Sequence, residues 1–128
     1  KKRFSNGYDV VVNNGKKITG FSPEKIIERS ISRGAGEILI NSYDNDGMRK
    51  GYDLNLISYI TSIIKIPVIA SGGAGNYKHM SDAILKCGAS AVAAGSIFQF
   101  TEQTPSEIKK SLSLDGIKTR TPLDINIL

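Results

Sequence analysis

The sequence of 128 residues has no tryptophan and only one cysteine, Cys87. One cysteine cannot form an intramolecular disulfide or a cysteine-based metal cluster, so we expect a reducing, cytoplasmic setting. Cys87 ends a helix-like run just before a glycine, and we predict a small buried hydrophobe there. No apolar run reaches the roughly 20 residues that a membrane span needs.

The amino terminus carries charge without a hydrophobic segment behind it. Residues 1–7 read KKRFSNG, which does not match a signal peptide because no apolar core follows the basic residues. The sequence also does not begin with methionine. We therefore expect that it begins within a longer protein.

The net charge is +5, but the basic residues are scattered. No basic stripe is interleaved with aromatic residues, which argues against nucleic-acid binding. A basic balance suits small anionic substrates equally well. We expect a phosphorylated small-molecule partner, no membrane and no cofactor.

Short apolar runs separated by helix-like patterns dominate the middle of the chain. The runs Glu37–Asn41, Ile66–Ala70 and Ala89–Ala94 show little polar alternation, as in buried parallel strands. Upstream, Tyr8–Val12 is β-rich and Asn13–Lys16 is a turn signal. Each predicted helix has a capping residue before it: Ser22, Asp53, Asn76 and, with a Glu three residues later, Thr104.

Strands alternating with helices predict an α/β fold, either a doubly wound sheet or a (β/α)8 barrel. A dinucleotide fold places its glycine-rich loop after the first strand, whereas here glycine turns follow two successive late strands. Barrels bind phosphate at the loops after their last two strands. A complete barrel needs about 250 residues, so we predict that residues 1–128 form a single partial domain, the C-terminal half with about strands 6–8.

The glycine turns are the first candidate site. Ser71, Gly72 and Gly73 follow one predicted strand, and Gly95 and Ser96 follow the next. A phosphate needs converging N–H donors and a backbone close enough to touch it, which glycine permits. The alternative is that both are tight turns that only connect strand to helix.

A third polar loop, at residues 44–47, follows Asn41 at the same predicted rim. Its Asp–Asn–Asp–Gly sequence allows a plain turn, part of a calcium loop closed by Asp53, or a carboxylate facing a ligand. Asn41 itself could point into the rim. Glu37 begins its strand as a carboxylate that is costly to bury unless paired, and it could end in solvent or pair with a lysine. His79 is predicted as a surface histidine, without partners for a metal site or a catalytic triad.

These residues resemble a known enzyme family. The motifs that carry the resemblance are, in order, RGAGEIL at 33–39, DNDG at 44–47 with GYD at 51–53, PVIASGGAG at 67–75 and AAGSIF at 93–98. Together they closely resemble the C-terminal half of the HisF-type cyclase subunit of imidazole glycerol phosphate synthase. The resemblance extends over residues 8–114.

The resemblance implies a (β/α)8 barrel that receives ammonia from a glutaminase subunit. With that ammonia the family splits and cyclises a bis-phosphorylated ribulosyl-formimino aminoimidazole carboxamide nucleotide into imidazole glycerol phosphate, in histidine biosynthesis. By resemblance, Glu37 belongs to the ammonia gate at the barrel floor. Asn41, Asp46 and Ser71 face the substrate, Asp46 with a supporting catalytic role, while the phosphate is bound by Gly47, Gly72, Gly73, Gly95 and Ser96.

The departures from the family open two alternatives. The family's catalytic aspartates fall before Lys1, so the resemblance implies that this chain alone is inactive. An open half-barrel exposes sheet edges, so we expect this chain alone to dimerise or aggregate. Asn41, where histidine-pathway members often carry threonine, together with Tyr43 and Met48, favours a HisF-like branch that amidates surface-polysaccharide sugars. A non-catalytic, phosphate-binding half-barrel is the other alternative.

Overall fold

Helices alternate with strands over the central part of the chain in the computed structural model, which describes residue 1 and residues 7–120. The chain thus has the predicted α/β class. The elements are β1 (Val11–Val12), β2 (Lys17–Ile18), α1 (Pro23–Ser32), β3 (Ile38–Asn41), α2 (Leu54–Ile63), β4 (Val68–Ser71), α3 (Tyr77–Leu85), β5 (Ala91–Val92), α4 (Ser96–Phe100) and α5 (Pro105–Leu114).

The main sheet is parallel, with the strand order β3-β4-β5. Its register places Asn41 opposite Ser71, and Ile69 opposite Ala91. The strand bounds differ slightly from prediction: β3 begins after Glu37, and Ser71 ends β4 instead of opening the loop. The bounds follow the pairing of the two strands, which runs from Ile38 opposite Val68 to Asn41 opposite Ser71.

A small antiparallel hairpin precedes the sheet, where the sequence predicted a turn. Val11 pairs with Ile18 across the turn. Asn13 and Asn14 have φ values of 55° and 53°, and Gly15 has 78°. Asparagine and glycine adopt positive φ most readily, which explains why the turn forms at these residues.

The helix caps follow the sequence signals with one exception. The side chain of Asn76 accepts a hydrogen bond from His79 N, and Thr104 forms the complete capping box with Glu107. Ser22 has the extended backbone of a cap, but its side chain makes no capping bond. Arg33 caps the end of α1, and Gly34 follows with φ of 98°, as expected for a helix stop.

Two clusters of buried side chains fill the space between the helices and one face of the sheet. The larger joins α3, α4 and α5 to β4 and includes Cys87, which is 6% exposed, as predicted. The smaller joins α1 and α2 to β4 through Ile27, Ile60 and Val68. Ile63 ends α2 and is 46% exposed, because it lies in the last turn, beyond the edge of this packing.

The other face of the sheet is uncovered within the described residues. Ile38 and Ile40 pack into the smaller cluster, so Leu39 and Asn41 point to the opposite face. Leu39 is 55% exposed there. Parallel sheets are generally covered on both faces, whereas this face presents apolar surface to solvent.

Asp53 connects the amino-terminal segment to α2. Its carboxylate accepts hydrogen bonds from Leu56 N at 3.0 Å and from the Tyr8 hydroxyl at 3.1 Å. Burial, followed by the charge of Asp53 and the hydrogen bond to it, raises the pKa of Tyr8 to about 12. The folded state therefore holds the phenol proton more tightly than an unfolded chain, whose tyrosine pKa is 10.0.

This difference predicts how stability depends on alkaline pH. The contribution of protonated Tyr8 is complete below pH 10.0 and is lost as the pH rises towards about 12. In urea unfolding at a series of pH values, Tyr8→Phe should therefore show a shallower alkaline decline of the unfolding free energy than the unsubstituted protein. Equal slopes in the two proteins would contradict the assignment.

Candidate functional site

The loops after β3, β4 and β5 leave the sheet at one edge, the carboxyl edge. Ser42 N donates to Ser71 O at 3.1 Å, and Ala93 N donates to Ala70 O at 2.8 Å, so strand-like contact continues up to this edge. The carboxyl ends of parallel strands are where α/β proteins bind ligands. The structure therefore brings the predicted rim residues of all three strands together.

Asn41 and Asp46 form the polar pair at the start of this edge. The Asn41 side-chain amide donates to the Asp46 carboxylate at 3.3 Å, and both residues are exposed. Asp46 N donates to Ser42 O at 2.9 Å, which closes the turn. The carboxylate is thus held in place by its own loop and remains open to solvent or a ligand.

The calcium alternative does not match this loop. Asp53, which would close a calcium loop, instead caps α2, and Ser42, at the first ligand position, is 5% exposed. Within residue 1 and residues 7–120, no group of three or more His, Cys, Asp or Glu side chains is placed to hold a metal ion. The turn and ligand-facing alternatives both fit the geometry of Asp46.

The loop after β3 folds directly onto the loop after β4. Gly51 N donates to Gly73 O at 2.8 Å, and the Asn45 side chain donates to Gly51 O at 2.9 Å. Asn45 thus fixes the carbonyl of the residue that reaches the neighbouring loop. The two loops form one packed unit.

This packing explains three glycines without reference to a ligand. A Cβ on Gly73 would lie 2.2 Å from Gly51 O, and a Cβ on Gly75 would lie 2.0 Å from Arg49 O. At Gly72 the nearest atom would be Ser42 O at 2.7 Å. Gly72 and Gly73 also have φ values of 87° and 110°, which disfavour other residues.

Two other predicted site glycines face open space. A Cβ on Gly95 or on Gly47 would meet no heavy atom within 4 Å. Gly47 has a positive φ of 76°, which its turn requires, whereas Gly95 has φ of −128°. The surfaces above these two glycines are therefore accessible, and no packing contact accounts for Gly95.

Several backbone N–H groups at the carboxyl edge remain available. In the described part of the chain, no turn, loop or cap hydrogen bond is donated by the N–H groups of Gly72, Gly73, Gly95 or Ser96. Gly72 and Gly73 are buried residues, and buried N–H groups almost always have a protein, water or ligand partner. Such a set of donors can bind an anion.

Tyr52 is a contact that the sequence analysis missed. Its hydroxyl donates to Ala93 O at 2.9 Å, which links the loop after β3 to the end of β5. The side chain is only 5% exposed, and burial raises the pKa of its hydroxyl. The signal in the sequence was a tyrosine within an otherwise polar loop, but nothing local identified a partner 41 residues away.

His79 is not the surface histidine that the sequence predicted. It is half-buried, and its Nδ1 accepts a hydrogen bond from Gly75 N at 3.1 Å. The prediction failed because the glycine loop folds back over the first turn of α3, which covers the polar face of that helix. The Gly75 N–H is therefore already engaged by a protein acceptor.

Glu37 lies at the opposite end of β3 from the site. It is exposed and lines a cavity of about 470 Å³ together with Lys1, Leu39 and Asn41. Within the described residues it makes no ion pair with a lysine. The carboxylate is therefore placed where the amino ends of the strands meet, apart from the glycine loops.

Comparison with known proteins gives a consistent result. A family described as "Histidine biosynthesis protein" matches residues 2–104. A protein of Hyphomonas neptunium named imidazole glycerol phosphate synthase subunit HisF is 42% identical over 114 residues, 89% of this chain and 45% of that protein. One of the same name from Leptospira biflexa serovar Patoc is 46% identical over 113 residues, 88% of this chain and 44% of that protein.

The chain spans less than half the length of these curated relatives. In residue 1 and residues 7–120, the structure contains no helix with the length and apolar character to cross a membrane.

The glycine geometry yields a matched pair of substitutions. We expect Gly73→Ala to lower the free energy of unfolding by more than about 2 kcal/mol, because its Cβ meets backbone and its φ is positive. Gly95→Ala should change it by less than about 0.5 kcal/mol, because its surroundings are open. Urea denaturation measures both values, and similar losses at the two positions would contradict the loop packing.

Proposed function

The chain belongs to the histidine biosynthesis protein family, and on that premise we propose that it is the C-terminal half of the cyclase subunit of imidazole glycerol phosphate synthase. In this proposal β3, β4 and β5 are the sixth, seventh and eighth strands of a (β/α)8 barrel. The 1–128 segment is then one partial domain. Its partner half supplies the remaining strands.

The uncovered sheet face supports the half-barrel. Leu39 and Asn41 lie on the face that points to the interior in a closed barrel, and Leu39 is largely exposed in this chain. A complete barrel needs about 250 residues, and the chain spans 44% to 45% of its two relatives. The missing half would cover this apolar surface and pair with the open edges of β3 and β5.

The observation that carries the functional proposal is the set of free N–H groups at the carboxyl edge. Those of Gly72, Gly73, Gly95 and Ser96 make no turn, loop or cap bond within the described residues. We assign them, with the open surface of Gly47 and the Ser96 hydroxyl, to one phosphate group of the substrate. The loops after the last two strands are where barrels commonly bind phosphate.

Beside this phosphate, Asn41, Asp46 and Ser71 would face the body of the substrate. The exposed Asp46 carboxylate, oriented by the Asn41 amide, can hold a substrate hydroxyl or transfer a proton. In the cyclase reaction ammonia attacks the formimino nucleotide, which is cleaved and closed into the imidazole ring. The family's two catalytic aspartates are outside this chain, so we expect no turnover without the other half.

Ammonia would enter from the opposite end. Glu37 lies at the amino end of β3 beside a cavity, and there it would form part of a charged gate. The partner in this proposal is a glutaminase subunit that docks at the same end and releases ammonia into the barrel. The chemistry uses no cofactor. The single cysteine, buried and reduced, agrees with a cytoplasmic setting.

One observation favours an alternative within the same family. Asn41 replaces the threonine common in the histidine pathway, and its amide is directed at Asp46. Tyr43, also unusual, packs against the hairpin turn, where a Cβ on Gly15 would lie 2.0 Å from its ring. These changes alter the rim that faces the substrate. They would suit a HisF-like subunit that supplies ammonia for the amidation of surface-polysaccharide sugars.

A third alternative is a half-barrel that binds phosphate without catalysis. It shares the free N–H groups but needs neither Glu37 nor Asp46. Formation of imidazole glycerol phosphate would exclude it.

The phosphate assignment predicts the effect of a negative charge at Ser96. Ser96→Asp should reduce the affinity for inorganic phosphate by more than about 10-fold, because like charges repel at close range. Isothermal titration of the full chain measures this. Ser106→Asp, an exposed serine near the start of α5, is the matched control and should bind as the unsubstituted chain does. Unchanged binding by Ser96→Asp would remove the assignment.

The half-barrel predicts an exposed surface that drives association. We expect the chain alone to sediment as a dimer or larger species, and to form a 1:1 complex when the N-terminal half of the barrel is added. A stable monomer would count against the half-barrel.

That complex, with the nucleotide and ammonium ions, should produce imidazole glycerol phosphate, detected by mass spectrometry. Product formation would exclude the non-catalytic alternative. If the complex forms but yields no imidazole product, the cyclase proposal is wrong, and the sugar-amidation branch and the non-catalytic half-barrel are the alternatives that fit.

A further inference from the structure

The imidazole of His79 lies where the two packed loops meet. Its Nδ1 accepts from Gly75 N at 3.1 Å, and its ring lies 3.6 Å from where a Cβ on Gly51 would be. Gly51 N in turn donates to Gly73 O at 2.8 Å. One side chain thus bonds to the loop after β4 and lies beside the loop after β3.

Both backbone polar groups of Gly75 are hydrogen-bonded. The Gly75 N–H donates to His79 Nδ1, and the Gly75 carbonyl accepts from the Gln103 side chain at 3.4 Å. The Arg49 carbonyl oxygen occupies the space in which a Cβ on Gly75 would lie. The orientation of this peptide sets the direction in which the chain passes from Gly73 into α3.

The capping bond at the start of α3 is made to the backbone of His79 and not to its ring. The Asn76 side-chain oxygen accepts from His79 N at 3.1 Å, while the Asn76 side-chain nitrogen lies 3.4 Å from Nε2 of the ring. The other ring nitrogen, Nδ1, accepts from the glycine loop at Gly75 N.

We propose that His79 is a positioning residue that holds the Gly72–Gly75 loop in the conformation in which the N–H groups of Gly72 and Gly73 face the phosphate. This inference rests on the proposed phosphate site. In this proposal His79 acts through its hydrogen bond with Gly75 N–H and not on the ligand itself. Because His79 already orders the loop, less entropy is lost when phosphate binds.

Two substitutions of His79 distinguish the role of its hydrogen-bond acceptor, Nδ1, from the role of the ring volume. His79→Leu removes the acceptor and leaves Gly75 N–H without a partner. His79→Asn keeps an acceptor, since the amide oxygen occupies the same distance from the backbone as Nδ1. Tyr77→Leu, an exposed aromatic residue on the same helix turn, is the matched control.

The measurement is the Kd for inorganic phosphate, from the shifts of the Gly95 and Ser96 amides in ¹H–¹⁵N spectra of the full chain. This readout reports only folded protein, so a general loss of stability does not imitate the effect. Loss of one oriented hydrogen bond should weaken binding by roughly 5-fold in His79→Leu. His79→Asn and Tyr77→Leu should stay within about 2-fold of the unsubstituted chain.

The outcomes distinguish a failure of the positioning role of His79 from a failure of the proposed phosphate site. If the unsubstituted chain binds phosphate and His79→Leu binds equally well, the positioning role is wrong and the phosphate site stands. If His79→Asn is as weak as His79→Leu, ring volume and not the acceptor matters, and the positioning role is again wrong. If the unsubstituted chain does not bind phosphate, or if Ser96→Asp binds it equally well, both the phosphate site and the positioning role are wrong.

Discussion

The contact on which the site depends is the approach of one loop's backbone to another. The hydrogen bond from Gly51 N to Gly73 O, at 2.8 Å, depends on glycine at position 73, because a Cβ there would lie 2.2 Å from Gly51 O. This contact brings the loop after β3 over the end of β4. Through Tyr52, whose hydroxyl reaches Ala93 O at 2.9 Å, the same loop is tied to β5. The carboxyl edge is therefore a packed surface in which the loop after β3 contacts both the loop after β4 and the end of β5.

Packing at this edge has a consequence for binding. The glycines divide into two groups with different roles: Gly72, Gly73 and Gly75 make room for neighbouring backbone, while Gly47 and Gly95 leave open surface. A packed loop presents its remaining N–H groups in fixed directions, which lowers the entropy lost when an anion is bound. The same sequence feature, glycine, thus serves packing at some positions and leaves access at others.

The sequence predicted the parts of the structure that depend on neighbours along the chain. The parallel strands, the caps at Asn76 and Thr104 and the hairpin turn were predicted from local patterns and are confirmed. The resemblance carried by the glycine motifs is confirmed by the family match. The roles of Tyr52 and His79 could not be predicted, because their partners are fixed by how the loops fold over the sheet. Residue roles at the phosphate site remain predictions.

The most direct test of the account is a map of where phosphate binds. In ¹H–¹⁵N spectra recorded at constant ionic strength, added inorganic phosphate should shift the amide signals of Gly72, Gly73, Gly95 and Ser96 together, with one Kd. Signals distant from the carboxyl edge, such as that of Gly34, should stay in place. Shifts confined to exposed lysines, or absent from the amides after β4 and β5, would contradict the central claim that these strand ends form one phosphate site.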